Sequence, residues 1–234
     1  MNFDKVCFLV EKGIIDYAEA LSLQKKLFQA KKEGKLKEDV LFLLEHPPTI
    51  TIGKKGSMEE ILVDEKILQK KKILVYKIGR GGKSTYHGPG QLVGYPILNL
   101  ANYGKDIHLY LRYLEEVIIR TLNDFNIKAQ RIKGLTGVWV GNKKIASIGV
   151  EVKKWISLHG FALNVSTELD YFNLIKPCGL KAEIMTSMSQ ILGTNIKVQD
   201  VSQKLIPHFQ EVFSVQIKKA PFLTFPYTFE SVVS

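Results

Sequence analysis

The stretch Gly137-Val138-Trp139-Val140-Gly141-Asn142-Lys143-Lys144-Ile145-Ala146-Ser147-Ile148-Gly149-Val150-Glu151-Val152-Lys153-Lys154-Trp155-Ile156-Ser157-Leu158-His159-Gly160-Phe161-Ala162-Leu163-Asn164-Val165 decides the fold class. Its β-branched and aromatic runs are short, and Gly141-Asn142 and Lys153-Lys154 punctuate them as turns. From Val138 to Val165 the spacing predicts several antiparallel strands in succession. A doubly wound sheet needs helices alternating strictly with strands, so this run points to a mixed α+β domain instead.

Working outward, Asp106 opens the clearest helix, with Ile107, Leu111, Leu114, Ile118, Leu122 and Phe125 on one stripe. Asp16 caps an earlier helix over Tyr17 to Lys32, carrying Tyr17, Leu21, Gln24 and Phe28 on one face, and Gly34 ends it. A last helix is predicted over Val198 to Phe213, interrupted or bent near Pro207. Val40 to Leu44 is a continuous apolar run, read as a buried strand. His46-Pro47-Pro48 makes a rigid kink, and Thr49 to Ile52 resumes as an extended segment. Ile73, Val75 and Ile78 lie on another extended stretch, while the lysines between Lys54 and Lys77 form a solvated face.

The chain of 234 residues is 45% hydrophobic and 24% charged, an ordinary globular composition that argues against disordered and fibrous classes. It has no repeat, low-complexity tract or Ser/Gly linker, so residues 1–234 are expected to form a single domain. Thirty-three Lys and Arg against 23 Asp and Glu leave a net charge of +10, which favours an acidic partner. Cys7 and Cys178 are too few for a disulfide framework, and a reducing compartment fits them better. There is no apolar run of the ~18 residues a membrane helix needs. Met1-Asn2-Phe3-Asp4-Lys5-Val6 lacks the pattern of a secretion signal, so a cytoplasmic protein without a membrane partner is expected.

Four segments carry side chains suited to chemistry. Gly79-Arg80-Gly81-Gly82-Lys83-Ser84-Thr85-Tyr86-His87-Gly88-Pro89-Gly90-Gln91 is glycine-rich, so its backbone can approach a ligand closely with amides free to donate. A P-loop ending at Gly82-Lys83-Ser84 requires glycine where Lys77 stands, and a dinucleotide fingerprint requires glycine where Ser84 stands. Arg80, Tyr86 and His87 make recognition a better reading of this loop than a plain surface turn. In the second segment, Lys143 and Lys144 point to opposite faces of a strand, so one can look inward, although a lone lysine is most often a surface charge. In the third, His159 reads on its own as a half-buried histidine of a core strand. In the fourth, Cys178 is flanked by Pro177 and Gly179 in a turn, where a sulfur is accessible, whereas Cys7 precedes Phe8-Leu9-Val10 and reads as inert core. Neither cysteine has a second one at metal-ligand spacing, and no metal is expected.

Together the four segments resemble the lipoyl(octanoyl) transferases. Their hallmark Arg-Gly-Gly-x-x-Thr-Tyr-His-Gly-Pro-Gly-Gln matches Arg80 to Gln91 and continues through Tyr95-Pro96. Lys-Ile-Ala-x-Ile-Gly matches Lys144 to Gly149, His-Gly-x-Ala-Leu-Asn matches His159 to Asn164, and Pro-Cys-Gly matches Pro177 to Gly179. Glu45-His46-Pro47-Pro48-Thr49 and Thr186-Ser187-Met188 are further family-like pieces.

The resemblance implies a fold similar to biotin and lipoate protein ligase catalytic domains, a mixed, largely antiparallel β-sheet packed with helices. It implies transfer of an octanoyl group from octanoyl-acyl carrier protein to a lysine of lipoyl domains, through a thioester on Cys178, with no cofactor. The acceptors implied are the lipoyl domains of 2-oxoacid dehydrogenase complexes and the glycine cleavage H protein, served by a monomer. By the same resemblance Lys144 lowers the Cys178 pKa and acts as acid and base, while Arg80, Gly81, Gly82, Lys83, Ser84, Thr85, Tyr86, His87, Ser147, Ile148, Gly149, Gly160, Phe161 and Ala162 bind substrate, supported by His159 and Asn164.

The chemistry is sound on its own terms. A cysteine nucleophile splits acyl transfer into two easier steps. Free cysteine, of pKa about 8.5, is only a few per cent thiolate at neutral pH. An ammonium 4 Å away contributes at most about 4 kcal/mol at an effective dielectric of about 20, enough for a shift of roughly two units. Burying an octanoyl tail of roughly seven methylene and methyl groups contributes about 5 kcal/mol. Two other classes compete. An ATP-dependent lipoate or biotin ligase of the same fold is disfavoured because its Arg-Arg-x-Ser-Gly-Gly-Gly or Gly-x-Gly-Arg-x-Gly stretch is missing. A basic nucleic-acid-binding module is disfavoured because the lysines are scattered and no RNA-binding aromatic motif accompanies them.

Overall fold

The computed structural model describes residues 5–176 and 184–220. Among them run strands β1 (Lys5–Ile14), β2 (Asp39–Glu45), β3 (Thr49–Ile52), β4 (Leu74–Lys77), β5 (Ser84–His87) and β6 (Gln91–Ile97). They are followed by β7 (Gln130–Ile132), β8 (Leu135–Val140), β9 (Lys143–Lys153), β10 (Ile156–Asn164) and β11 (Val215–Lys219). The helices are α1 (Tyr17–Lys32), α2 (Glu65–Lys70), α3 (Ile107–Asn123), α4 (Met188–Leu192) and α5 (Val198–Phe213).

The main sheet has the order β11-β1-β2-β6-β10-β9-β8-β7. β1 runs parallel to both β11 and β2, and every other neighbouring pair is antiparallel, so the sheet is mixed and largely antiparallel. A smaller sheet, β4-β3-β5, lies beside it. The sheet is a middle layer. Leu41 and Leu43 of β2 join the core beneath α3 and α5, whereas Val40, Phe42 and Leu44 join the core beneath α1. Alternation along one strand thus feeds both cores, which is why Val40 to Leu44 is apolar without a break.

Local signals set the helix starts. Oδ1 of Asp16 accepts from the Ala18 amide at 2.7 Å, and Oδ1 of Asp106 accepts from the amides of His108 and Leu109 at 2.7 and 3.1 Å. The buried faces differ from the predicted stripes. On α1 the buried residues are Tyr17, Ala20, Leu23, Gln24, Leu27, Ala30 and Lys31, while Leu21 and Phe28 are half-buried. On α3, Ile107 is exposed and Tyr110, Leu114, Val117, Ile118, Thr121 and Leu122 are buried. Leu114, Ile118 and Leu122 of the α3 stripe and Tyr17 and Gln24 of the α1 face are buried as expected, while tertiary packing sets the rest of each covered face. Of the interruption or bend expected near Pro207, the interruption is absent, because α5 continues through that residue.

The β9–β10 turn falls one residue later than predicted. Lys153 pairs with Ile156, and Lys154 and Trp155 form the loop with φ of +50° and +63°. A two-residue hairpin whose twist matches the strands takes positive φ at both positions. Cys7 is fully buried in β1, and the lysines from Lys54 to Lys77 are exposed. No helix among the described residues is long and apolar enough to cross a membrane.

Candidate active site

Where the small sheet meets the large one lies a narrow cleft with about 40 Å³ of room for solvent. One wall is the loop between β4 and β5. Its Gly81 amide donates to the Val150 carbonyl of β9 at 2.9 Å, and its Arg80 carbonyl accepts from the Lys54 amide at 3.0 Å. The Arg80 side chain, 7% exposed, pins the loop from beneath: Nη2 donates to the carbonyl and the Oγ1 of Thr51, both at 2.8 Å.

The opposite wall is Ser147-Ile148-Gly149 of β9 beside Gly160-Phe161-Ala162 of β10, paired through Gly160↔Gly149, Phe161↔Ile148 and Ala162↔Ser147. Glycine at 160 is a steric requirement. A Cβ there would collide with the Gly94 carbonyl oxygen and meet Pro96 Cδ at 2.7 Å.

Not every predicted substrate-binding residue faces this cleft. Arg80, Gly81, Gly82, Thr85 and His87 line it; Lys83, Ser84 and Tyr86 do not. Thr85 and His87 share one face of β5, so Ser84 and Tyr86 share the other. Ser84 Oγ donates to the Lys176 carbonyl at 2.8 Å, and Tyr86 packs against Tyr171 and Phe172 in the core of the small sheet. Lys83 extends outward, its Nζ 3.9 Å from Glu60 Oε1. Asn164 lies at the end of β10, where Nδ2 donates to the Thr186 carbonyl at 3.0 Å and Oδ1 accepts from Gln91 at 2.9 Å.

Tyr17 and Tyr95 also line the cleft, although the sequence assigns neither to it. Tyr95 follows the glycine-rich motif along the chain, and Tyr17 stands in sequence only as a helix-face residue. His46 lies buried behind Tyr95, its Nδ1 meeting the Ile15 carbonyl at 2.8 Å and its Nε2 the Tyr95 hydroxyl at 2.7 Å. Burial pushes the His46 and His159 imidazoles down to about 4. It drives His87 well below its ordinary value too, helped by the nearby His46 and Arg80. All three rings are therefore neutral at pH 7. His159 sits at φ +58° within β10, a backbone region uncommon for a side-chain-bearing residue, and it lines the cleft.

Lys143 and Lys144 part as strand alternation requires: Lys143 is exposed and Lys144 is 5% exposed. No carboxylate lies within ion-pair distance of the Lys144 ammonium among the described residues, and its Nζ stands 5.6 Å from the centre of the Trp139 ring. Gly137 opens the space for it, because a Cβ at 137 would meet Lys144 Cε at 2.6 Å and Nζ at 3.2 Å. Glu115 holds Gly137 in place by accepting from its amide at 3.1 Å. An ammonium taken out of water without a counter-charge is costly, so this one is poised for an anion. Lys144 also bridges to Met185 in parallel, and the Thr186 amide donates to its carbonyl at 3.0 Å. Cys178 itself lies outside the described residues.

The profile of the lipoyl protein ligase A/B catalytic domain matches residues 16–210. The chain belongs to that family. Among lipoyl protein ligase A/B relatives, the octanoyltransferase of Solibacter usitatus is 48% identical over 211 residues, covering 90% of this chain and 94% of the relative. The octanoyltransferase of Caldicellulosiruptor bescii is 49% identical over 210 residues, 89% of this chain and 90% of the relative. A bipartite lipoate protein ligase from Thermoplasma acidophilum has a TM-score of 0.75 at 20% identity, covering 99% of this chain and 91% of the other. The biotin protein ligase of Aquifex aeolicus in complex with biotin and ATP has a TM-score of 0.55 at 15% identity, covering 88% and 70%. The two ligases confirm the expected ligase-like fold and carry nothing about ATP.

Proposed function

We infer that this family member transfers an octanoyl group from octanoyl-acyl carrier protein to a lysine of a lipoyl domain, through a thioester on Cys178. Octanoyl transfer is the activity named in relatives 42–49% identical. The observation that carries the mechanism is the buried ammonium of Lys144, which no carboxylate among the described residues meets. Its strand is joined to Met185 and Thr186, on the chain that returns from the Cys178 segment.

In the first half-reaction the Cys178 thiolate attacks the thioester carbonyl, and the donor thiolate leaves with the Lys144 proton. In the second, the acceptor amine attacks the Cys178 thioester and gives a proton back to the neutral Lys144 amine. The sulfur then leaves as a thiolate beside a restored ammonium. Lys144 thus serves as acid and base in turn. The narrow cleft between Arg80-Gly81-Gly82 and Ile148, Phe161 and Ala162 takes the acyl tail, which its apolar wall suits. His159 and Asn164 support it from β10. Pairing of β11 with β1 supports residues 1–234 as one catalytic domain. The unbridged Cys7 thiol supports a reducing, cytoplasmic setting.

Incubation with octanoyl-carrier protein, followed by intact-mass measurement, should give one octanoyl adduct that hydroxylamine removes and that Cys178→Ala lacks. No adduct on the wild type, or an undiminished one on the variant, would refute the reading.

A further inference from the structure

Beside the acyl cleft lies a second hollow of about 460 Å³, lined by Lys54, Lys55, Lys83 and Lys176 together with Gly56, Ser57, Glu59 and Glu60. The two spaces share a wall. The amides of Lys54 and Lys55 donate to the carbonyls of Arg80 and Gly82 at 3.0 and 3.1 Å, so the floor of the hollow is the back of the loop that lines the cleft. Its charge is unbalanced. The Glu60 carboxylate is turned to the Ser84 amide at 2.7 Å and faces Lys83 at 3.9 Å, and Lys54 pairs with Glu151 at 2.9 Å. The ammonium groups of Lys55 and Lys176 have no carboxylate within ion-pair distance among the described residues.

We propose that this hollow binds the phosphodiester of the arm on which the acyl carrier protein presents its thioester; the proposal rests on the octanoyl-transfer reading. Three observations select that ligand. The hollow is concave, so it suits a narrow arm better than the convex face of a protein. Its uncompensated cations call for an anion, and lysine is a point-charge phosphate binder. Lys176, on its rim, is two residues before Cys178 in the chain, so the hollow adjoins the backbone that leads to that cysteine. The acceptor fits the hollow poorly, because it presents a lysine side chain that the ammonium groups of Lys55 and Lys176, which meet no carboxylate among the described residues, repel.

The test compares acylation of Cys178 by octanoyl-4′-phosphopantetheine and by octanoyl-pantetheine, in wild type and in Lys55→Ala/Lys176→Ala, at low and high salt. The wild type should prefer the phosphorylated donor about tenfold at low salt, with salt erasing most of that preference. The double variant should lose the preference while reacting with octanoyl-pantetheine at the wild-type rate. Equal rates with both donors in the wild type overturn the proposal, as does equal slowing of both donors in the variant. A defect seen only with intact octanoyl-carrier protein assigns the lysines to carboxylates of the carrier and also overturns it. A defect confined to transfer from pre-acylated enzyme to a lipoyl domain assigns them to the acceptor and overturns it as well. Failure of the wild type to take an octanoyl group from any donor would sink the transferase reading itself, a result distinct from each of these.

Discussion

Lys144 and Met185 are bridge partners on adjacent parallel segments, and the amide of Thr186 donates to the Lys144 carbonyl at 3.0 Å. The buried ammonium is therefore fixed by backbone hydrogen bonding to chain that follows Cys178. Chain before Cys178 is fixed as well: the Lys176 amide donates to the Glu60 carbonyl at 2.8 Å, and its carbonyl accepts from Ser84 Oγ at 2.8 Å. The small sheet thus holds one flank of the cysteine segment and the large sheet holds the other.

Lys144 and Lys143 are neighbours with opposite surroundings, so substituting each separates the buried charge proposed to act in catalysis from a surface one. Lys144→Met should lower kcat by at least about 100-fold, the usual scale for a lost acid–base group. It should leave thermal stability equal or higher, because the exchange removes an uncompensated buried ammonium. Lys143→Ala should change kcat less than about twofold, as expected of an exposed charge. Lys144→Arg keeps the charge but cannot release a proton near neutrality. It should favour the Cys178 thiolate yet slow both half-reactions, because the first takes a proton from this side chain and the second returns one, and single-turnover measurements of the two halves would show both losses. Equal losses in the Lys143 and Lys144 variants would remove Lys144 from the mechanism.

The glycines of the cleft are not equivalent. A Cβ at Gly160 would strike the Gly94 carbonyl, whereas one at Gly81 would meet the Val150 carbonyl oxygen at 3.6 Å, an ordinary contact. Gly160→Ala must shift a backbone strand in the middle of the sheet and should cost several kcal/mol, above the usual ~1–3 kcal/mol of overpacking. Gly81→Ala should fold with a denaturation midpoint near wild type and change only how the cleft takes its ligand. Urea titration of the two variants side by side checks the contrast.

Much of this architecture is legible in the sequence because local signals agree with the global fold. Asp16 and Asp106 start their helices as side-chain caps, and the glycine-punctuated run from Val138 to Val165 becomes β8, β9 and β10. What the sequence leaves open are quantities that only packing decides. The covered faces of α1 and α3 depend on where the sheet meets them, so Ala20 and Leu23 are buried where the apolar stripe would place Leu21 and Phe28. The motif Arg80 to His87 reads as one unit in sequence, yet β5 alternation sends Thr85 and His87 to the cleft and Ser84 and Tyr86 away from it. That division follows from the period of two and is recoverable without coordinates. Tyr17 and Tyr95 are not recoverable, because a lone aromatic on a helix or in a core strand carries no mark of a ligand site.

Acid should unfold the protein through its histidines. An unfolded-chain histidine titrates near pH 6.5, while His46 and His159 titrate at about 4 when folded. The unfolded state therefore binds more protons between those values, and stability falls as pH drops through that window and is unaffected by these groups above it. Each residue costs about 2 kcal/mol at pH 5, and His87, also depressed by burial, adds to the loss. Urea midpoints should be level from pH 8 to about 7 and decline steeply below 6. His159→Asn, which accepts the left-handed backbone at φ +58°, should flatten the decline while preserving the fold. A midpoint that stays level down to pH 5 would contradict the burial of these rings.

Chain-length selection should be set at the β9–β10 wall. Ile148 faces Phe161 across the strand pair, and both line the cleft between Gly81 and Ala162. Enlarging Ile148 removes volume from an apolar slot without touching Lys144 or the cysteine segment. Ile148→Phe should lower kcat/KM for octanoyl donors by about tenfold or more, as overpacking penalties of ~1–3 kcal/mol imply. It should spare butanoyl donors, whose tails lack roughly four methylene groups, each worth about 0.8 kcal/mol when buried. Competition between octanoyl and butanoyl thioesters for acylation of Cys178 measures the ratio directly. An unchanged ratio would place the tail elsewhere, and the cleft beneath Arg80 would no longer be the acyl site.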